Sequence, residues 1–103
     1  MATLYSTQLY SNGSLNGVDT LSPVPAGYIW IVRQVTFFAA TVSPAGCFAN
    51  INGGGMIFYG EVTASAPYID WSGRHVLEAG DELSITTNVS TLVLVSGYVL
   101  TAP

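Results

Sequence analysis

The chain has 103 residues, two arginines, no lysine and six carboxylates, and half of its residues are apolar. A soluble domain of this length ordinarily carries about 25 charged side chains, so this one has too few to cover a surface of roughly 5,500 Å². Nucleic acid and anionic membranes are excluded as partners, because binding them needs several cations. A membrane-spanning helix is excluded because no run of about 20 apolar residues exists.

Glycine and proline, eleven and five residues, cut the chain into short runs rich in Val, Ile, Thr, Phe and Tyr. Such runs read as strands, and no helical period of useful length interrupts them. The N-terminus, Met1-Ala2-Thr3-Leu4-Tyr5, has neither a basic region nor an apolar core, so it does not read as a signal peptide. A first strand is expected over Thr3 to Tyr10, a turn at Ser11-Asn12-Gly13-Ser14, and a short strand over Val18 to Leu21. Pro25-Ala26-Gly27 turns into the strongest strand, Tyr28 to Ala40. Alternation places Ile29, Ile31, Val35 and Phe37 on one of its faces and Tyr28, Trp30, Val32 and Phe38 on the other. Both faces are apolar, which predicts cover on both sides, by a second sheet and by a neighbouring subunit.

Ser43-Pro44-Ala45-Gly46 is the next break. Cys47 to Asn52 and Met56 to Val62 read as strands joined through Gly53-Gly54-Gly55. Ala66 to Trp71 and Arg74 to Leu77 read as strands separated by a Ser72-Gly73 turn. Glu78-Ala79-Gly80-Asp81 repeats the Ala-Gly turn device before Glu82 to Thr87, where Leu83 and Ile85 are expected to point inward. Thr91 to Thr101 closes the chain, with Leu92, Leu94, Ser96, Tyr98 and Leu100 on one face and Val93, Val95, Gly97 and Val99 on the other. The expectation is a single all-β domain, an antiparallel sandwich of about eight strands. Residues 1–22 would be an N-terminal strand or assembly arm and residues 23–103 the core.

Candidate chemistry is sparse. His75 is the only histidine and no Gly-x-Ser-x-Gly elbow accompanies it, so it reads as a strand residue at a surface or interface. Cys47 is the only cysteine; it forms no intrachain disulfide and reads as a small core residue. Glu78, Asp81 and Glu82 offer oxygen atoms to calcium, but without EF-hand spacing they read as turn carboxylates. Gly53-Gly54-Gly55 lacks the Lys-Ser/Thr of a phosphate loop. Tyr59, Tyr68, Trp71 and Tyr98, with Asp70 and Asn50 beside them, are either packing residues or a sugar-stacking platform; Tyr59, Tyr68, Asp70 and Trp71 are the candidate glycan site. Tyr28, Trp30, Phe38, Arg33, Arg74 and Tyr98 are the candidate interface between subunits. Arg33 and Arg74 are expected to seek Asp70, Glu61 or a neighbour's carboxylate. No catalytic group, cofactor or metal is called for.

Three stretches carry a resemblance. Val24-Pro25-Ala26-Gly27-Tyr28-Ile29-Trp30-Ile31-Val32-Arg33 is the first, and Trp71-Ser72-Gly73 running on to Leu77-Glu78-Ala79-Gly80-Asp81-Glu82-Leu83 the second. The third is Val95-Ser96-Gly97-Tyr98-Val99-Leu100. Together they resemble the small jelly-roll virion proteins of tailed bacteriophages, a β-sandwich group whose Gly-Asp turn also occurs in cupins and in tumour-necrosis-factor-like domains. The resemblance covers most of the chain from residue 24 onward. It implies a homotrimer packed through apolar sheet faces, made in a bacterial cytoplasm and placed on the virion. There it would act as a capsid decoration protein bound to the major capsid protein. The alternative is an accessory tail protein that contacts other tail proteins and a host-surface glycan.

Overall fold

The computed structural model describes residues 6–41, 44–52 and 55–102, and side-chain burial from residue 8. Thr3 to Tyr5 of the expected first strand, Ser43 of the expected break, and Gly53 and Gly54 of the glycine loop lie outside the described residues. All the elements are strands: β1 (Ser6–Thr20), β2 (Tyr28–Phe38), β3 (Ala45–Ile51), β4 (Gly55–Val62), β5 (Tyr68–Leu77) and β6 (Leu83–Thr101). Among the described residues no helix is long and apolar enough to cross a membrane.

The strands form one antiparallel sheet in the order β4-β3-β6-β2-β5, with β1 on the second edge of β6. β6 organises it. Its nineteen residues would extend about 63 Å if straight, more than the 48 Å longest dimension of the molecule, so β6 must bend. One edge of β6 pairs with β1 from Ser6↔Tyr98 to Thr20↔Ser84. The other edge changes partner: it pairs with β3 from Leu83 to Thr87 and with β2 from Leu92 to Thr101. The change falls at Asn88-Val89-Ser90. There Thr87 donates to the Leu15 carbonyl and Thr91 to the Val89 carbonyl, each at 2.7 Å, which satisfies the two buried hydroxyls. β5 then pairs with β2 and β4 with β3. The outer edges of β4 and β5 approach each other, Ile69 lying against Gly60, and nearly close the sheet into a barrel.

Six strands replace the expected eight or so, because residues expected to turn stay within strands. Ser11-Asn12-Gly13-Ser14 is a register irregularity inside β1, closed by a 2.9 Å bond from the Ser14 amide to the Asn12 side chain and by contact between the Ser14 and Ser90 hydroxyls. Ser72-Gly73 lies inside β5. A Cβ at Gly73 would stand 2.7 Å from Cζ2 of Trp71, so that glycine makes room for an indole instead of a turn. The two Ala-Gly turns, by contrast, form as read. Tyr28 N–H bonds to the Pro25 carbonyl and Asp81 N–H to the Glu78 carbonyl, at 3.2 and 3.0 Å. Gly27 and Gly80 take positive φ at the third position of each turn, the geometry of type II.

The interior lies between the two halves of the sheet. Val32, Val35 and Phe37 of β2, Val62 of β4, Leu77 of β5, and Leu83, Ile85, Val93 and Val95 of β6 are fully or almost fully buried. Leu83 and Ile85 point inward as expected. β3 adds only small inward side chains, Ala45, Cys47 and Ala49, and the rings of Phe37 and Phe58 stack across the interior at 6.1 Å.

The faces of β2 depart from strict alternation. Against β6 the register shifts between Val32 and Gln34, which pair with the consecutive residues Gly97 and Ser96, so Arg33 is a bulge in β2; against β5 the shift at the same place leaves Gly73 and Arg74 opposite Arg33. An extra residue moves every later side chain to the opposite face. Trp30 and Val32 therefore point inward with Val35 and Phe37, while Ile29 and Ile31 share the outer face with Phe38. Trp30 packs against the core, and is not placed on one face with Phe38. Opposite the bulge stands Gly97, paired with Val32; a Cβ there would collide with the Ile31 carbonyl oxygen.

Candidate functional site

Register fixes which side chains share an outer face. On the β2–β5 half, Tyr68, Phe38 and Leu92 form one row across three strands. The next rows are Asp70, Thr36 and Leu94, then Ser72, Gln34 and Ser96. Val76, Ile31 and Tyr98 follow, and Ile29 beside Leu100 ends the face. Two apolar bands thus flank a polar one. Ile31 is covered by its neighbours, at 8% exposure, but Tyr68, Phe38, Val76, Leu92 and Leu94 remain between 37% and 53% exposed. Side chains of this size normally lie inside; Tyr68, Phe38, Leu92 and Leu94 occupy adjacent rows, and Val76 lies beyond the polar band.

The opposite outer face belongs to β3, β4 and the first half of β6. Phe48 lies between Thr86 and Tyr59, and Asn50 between Ser84 and Met56. The Tyr59 ring lies over Gly46 and tilts against Phe48 at 6.1 Å. Val18, Met56 and Tyr59 are more than half exposed. Glu61, paired with Gly46, stands on the same face.

The candidate interface residues are distributed as follows. Phe38, Arg74 and Tyr98 are on the outer face of the β2–β5 half, with Tyr98 half-buried. Tyr28 is exposed at the start of β2, Arg33 is exposed at its bulge, and Trp30 is turned inward. Among the described residues neither arginine is paired with a carboxylate. Asp70, one of their expected partners, accepts instead from Gln34 Nε2 at 3.1 Å. The candidate glycan residues are not brought together. Tyr68 and Asp70 lie on one outer face, Tyr59 on the other, and Trp71 packs inward against the core. Leu92 and Leu94 were not singled out as contact residues; the signal was their position opposite Val93 and Val95, whose smaller side chains fill the interior.

The titratable groups act as fastenings. Asp81 accepts from Asn52 Nδ2 at 3.1 Å and from the Glu78 amide at 2.9 Å, and Asn52, in a left-handed conformation, accepts from the Glu82 amide. The Asn52 bond and the Glu78 amide hold the Asp81 carboxyl below the usual range. These bonds tie the β5–β6 turn to the end of β3 and already engage the carboxylate that calcium would need. Among the described residues no three His, Cys, Asp or Glu side chains are grouped to hold a metal ion. Cys47 is fully buried and burial pushes its thiol pKa up, the reverse of what a nucleophile requires. Tyr10 donates to Asp19 at 2.7 Å, and burial followed by that carboxylate raises the phenol. An open depression of about 530 Å³ is lined by Ala40, Thr41, Ala64 and Pro67, none of them an acid, base or thiol.

No protein-family model matches the chain, and no curated protein matches it.

Proposed function

We propose that the chain is a structural virion protein of a tailed bacteriophage: a homotrimer that decorates and reinforces the capsid by non-covalent adhesion, with no bond made or broken. The observation that carries this reading is the set of large apolar side chains left in water on both outer sheet faces of a chain with only eight charged residues. Burying them against other chains at about 25 cal/mol per Å² is the stabilisation that assembly supplies. The finer fold reading supports it. Counted as two strands on either side of their bends, β1 and β6 give two rows of four, β1-β6-β2-β5 and β1-β6-β3-β4. In each row the first strand lies beside the last, which is the connectivity of an eight-stranded jelly roll. Such a protein is made in the bacterial cytoplasm and ends in the virion. The tail-adhesin alternative is less well supported, since Tyr59, Tyr68, Asp70 and Trp71 share no single face.

The test is sedimentation of the purified protein with empty heads of the phage that encodes it. Saturable binding at a fixed ratio to the major capsid protein is the expected result. Absence of co-sedimentation, with retention on host cell-wall glycan instead, would replace the decoration role with the tail role.

A further inference from the structure

Self-association leaves open which surfaces meet. The two apolar outer faces lie on opposite sides of the interior, and their charges differ. Arg33 and Arg74, the only cations of the chain, are both on the β2–β5 half, with Asp70 as its one carboxylate. The other five carboxylates lie elsewhere: Asp19 on β1, Glu61 on the outer face of β4, and Glu78, Asp81 and Glu82 in the turn bonded to the end of β3. A contact of like face with like face would leave one apolar face in water. It would also set Glu61 near its own copy, or Arg74 near its own.

We infer that copies of this chain join head to tail, the outer face of β2–β5 in one copy seated on the outer face of β3–β4 in the next. Phe38, Leu92 and Leu94 of one copy then meet Met56 and Tyr59 of its neighbour, and the unpaired arginines face the half that carries Glu61. Opposite charges steer and orient such a contact. A heterologous contact of this kind gives a ring when its rotation closes and an open filament when it does not. The inference rests on the proposed self-association and names its surfaces.

The experiment uses two single variants, Leu94→Asp on one face and Tyr59→Asp on the other. Both side chains are exposed, at 37% and 54%, so the interior is untouched, and circular dichroism with urea unfolding verifies that each variant is folded. Light scattering is then read for the wild type, each variant alone, and an equimolar mixture. The expected result is an oligomeric wild type, two monomeric variants, and a mixture that forms a dimer of one chain of each. In that dimer one intact pair of faces survives and neither spoiled face can add a third chain. A wild-type oligomer with either variant unaffected, or a mixture that stays monomeric, overturns the head-to-tail contact alone. A monomeric wild type overturns the self-association as well.

Discussion

Replacing Gly97 with alanine puts the close approach of β6 to β2 to a quantitative test. The new methyl would overlap the Ile31 carbonyl oxygen, stand 2.9 Å from the Ile31 carbonyl carbon and come within 3.2 Å of the Arg33 nitrogen. All three are backbone atoms of β2, held on either side by β5 and β6, so no side chain can rotate away. Overpacking a filled interior costs about 1–3 kcal/mol. Spreading β6 from β2 also weakens ladder hydrogen bonds of about 1 kcal/mol each. The sum is about 3–5 kcal/mol, a large part of the roughly 5–15 kcal/mol that holds a small domain together. Thermal unfolding followed by circular dichroism should show a fall of about 12 °C or more. Gly13→Ala is the control: no atom lies within 4 Å of its added Cβ, and its φ is not positive, so it should change stability by less than about 0.5 kcal/mol. A Gly97→Ala protein melting within about 3 °C of the wild type would refute the close approach at the bulge.

Two further outcomes concern the titratable groups. The Cys47 thiol, fully buried and raised by that burial, should resist a disulfide exchange reagent in the folded protein and react completely in urea; full reaction under native conditions would contradict its place in the core. Tyr10 has a folded pKa above its ordinary value of 10.0. The unfolded chain therefore loses that proton first, and the stability Tyr10 contributes is present below about pH 10 and lost as pH rises through the folded value. Urea midpoints measured from pH 8 to 11 should fall more steeply for the wild type than for Tyr10→Phe, and parallel slopes would remove the Tyr10–Asp19 bond from the account.

What was legible in the sequence depended on local chemistry. The Ala-Gly turns at Gly27 and Gly80 follow from a positive φ that glycine adopts without strain. The inward placement of Leu83 and Ile85 follows from alternation in an uninterrupted strand. The core role of Cys47 follows from its small apolar side chain. The bulge at Arg33 left no mark in composition: it appears only when β2 is paired with β6, and it moves Trp30 to the face opposite Phe38. Gly73 and the Gly13 segment read as turns because glycine usually marks one. Here one gives way to the Trp71 indole and the other follows the bend of a distant partner strand, β6, where Asn12 pairs with Val93. The same limit applies to the contact surface. That both faces of the central strands are apolar was visible in the sequence, whereas the separation of Tyr59 from Tyr68 and Asp70 depends on how β6 divides its pairing between β2 and β3.

The solution mass of the purified chain, by light scattering at low micromolar concentration, tests the central claim most directly. A single species of three times the chain mass of 10.8 kDa is the expected result. A stable, soluble monomer would contradict it, because the exposed apolar faces would then need no second chain to cover them.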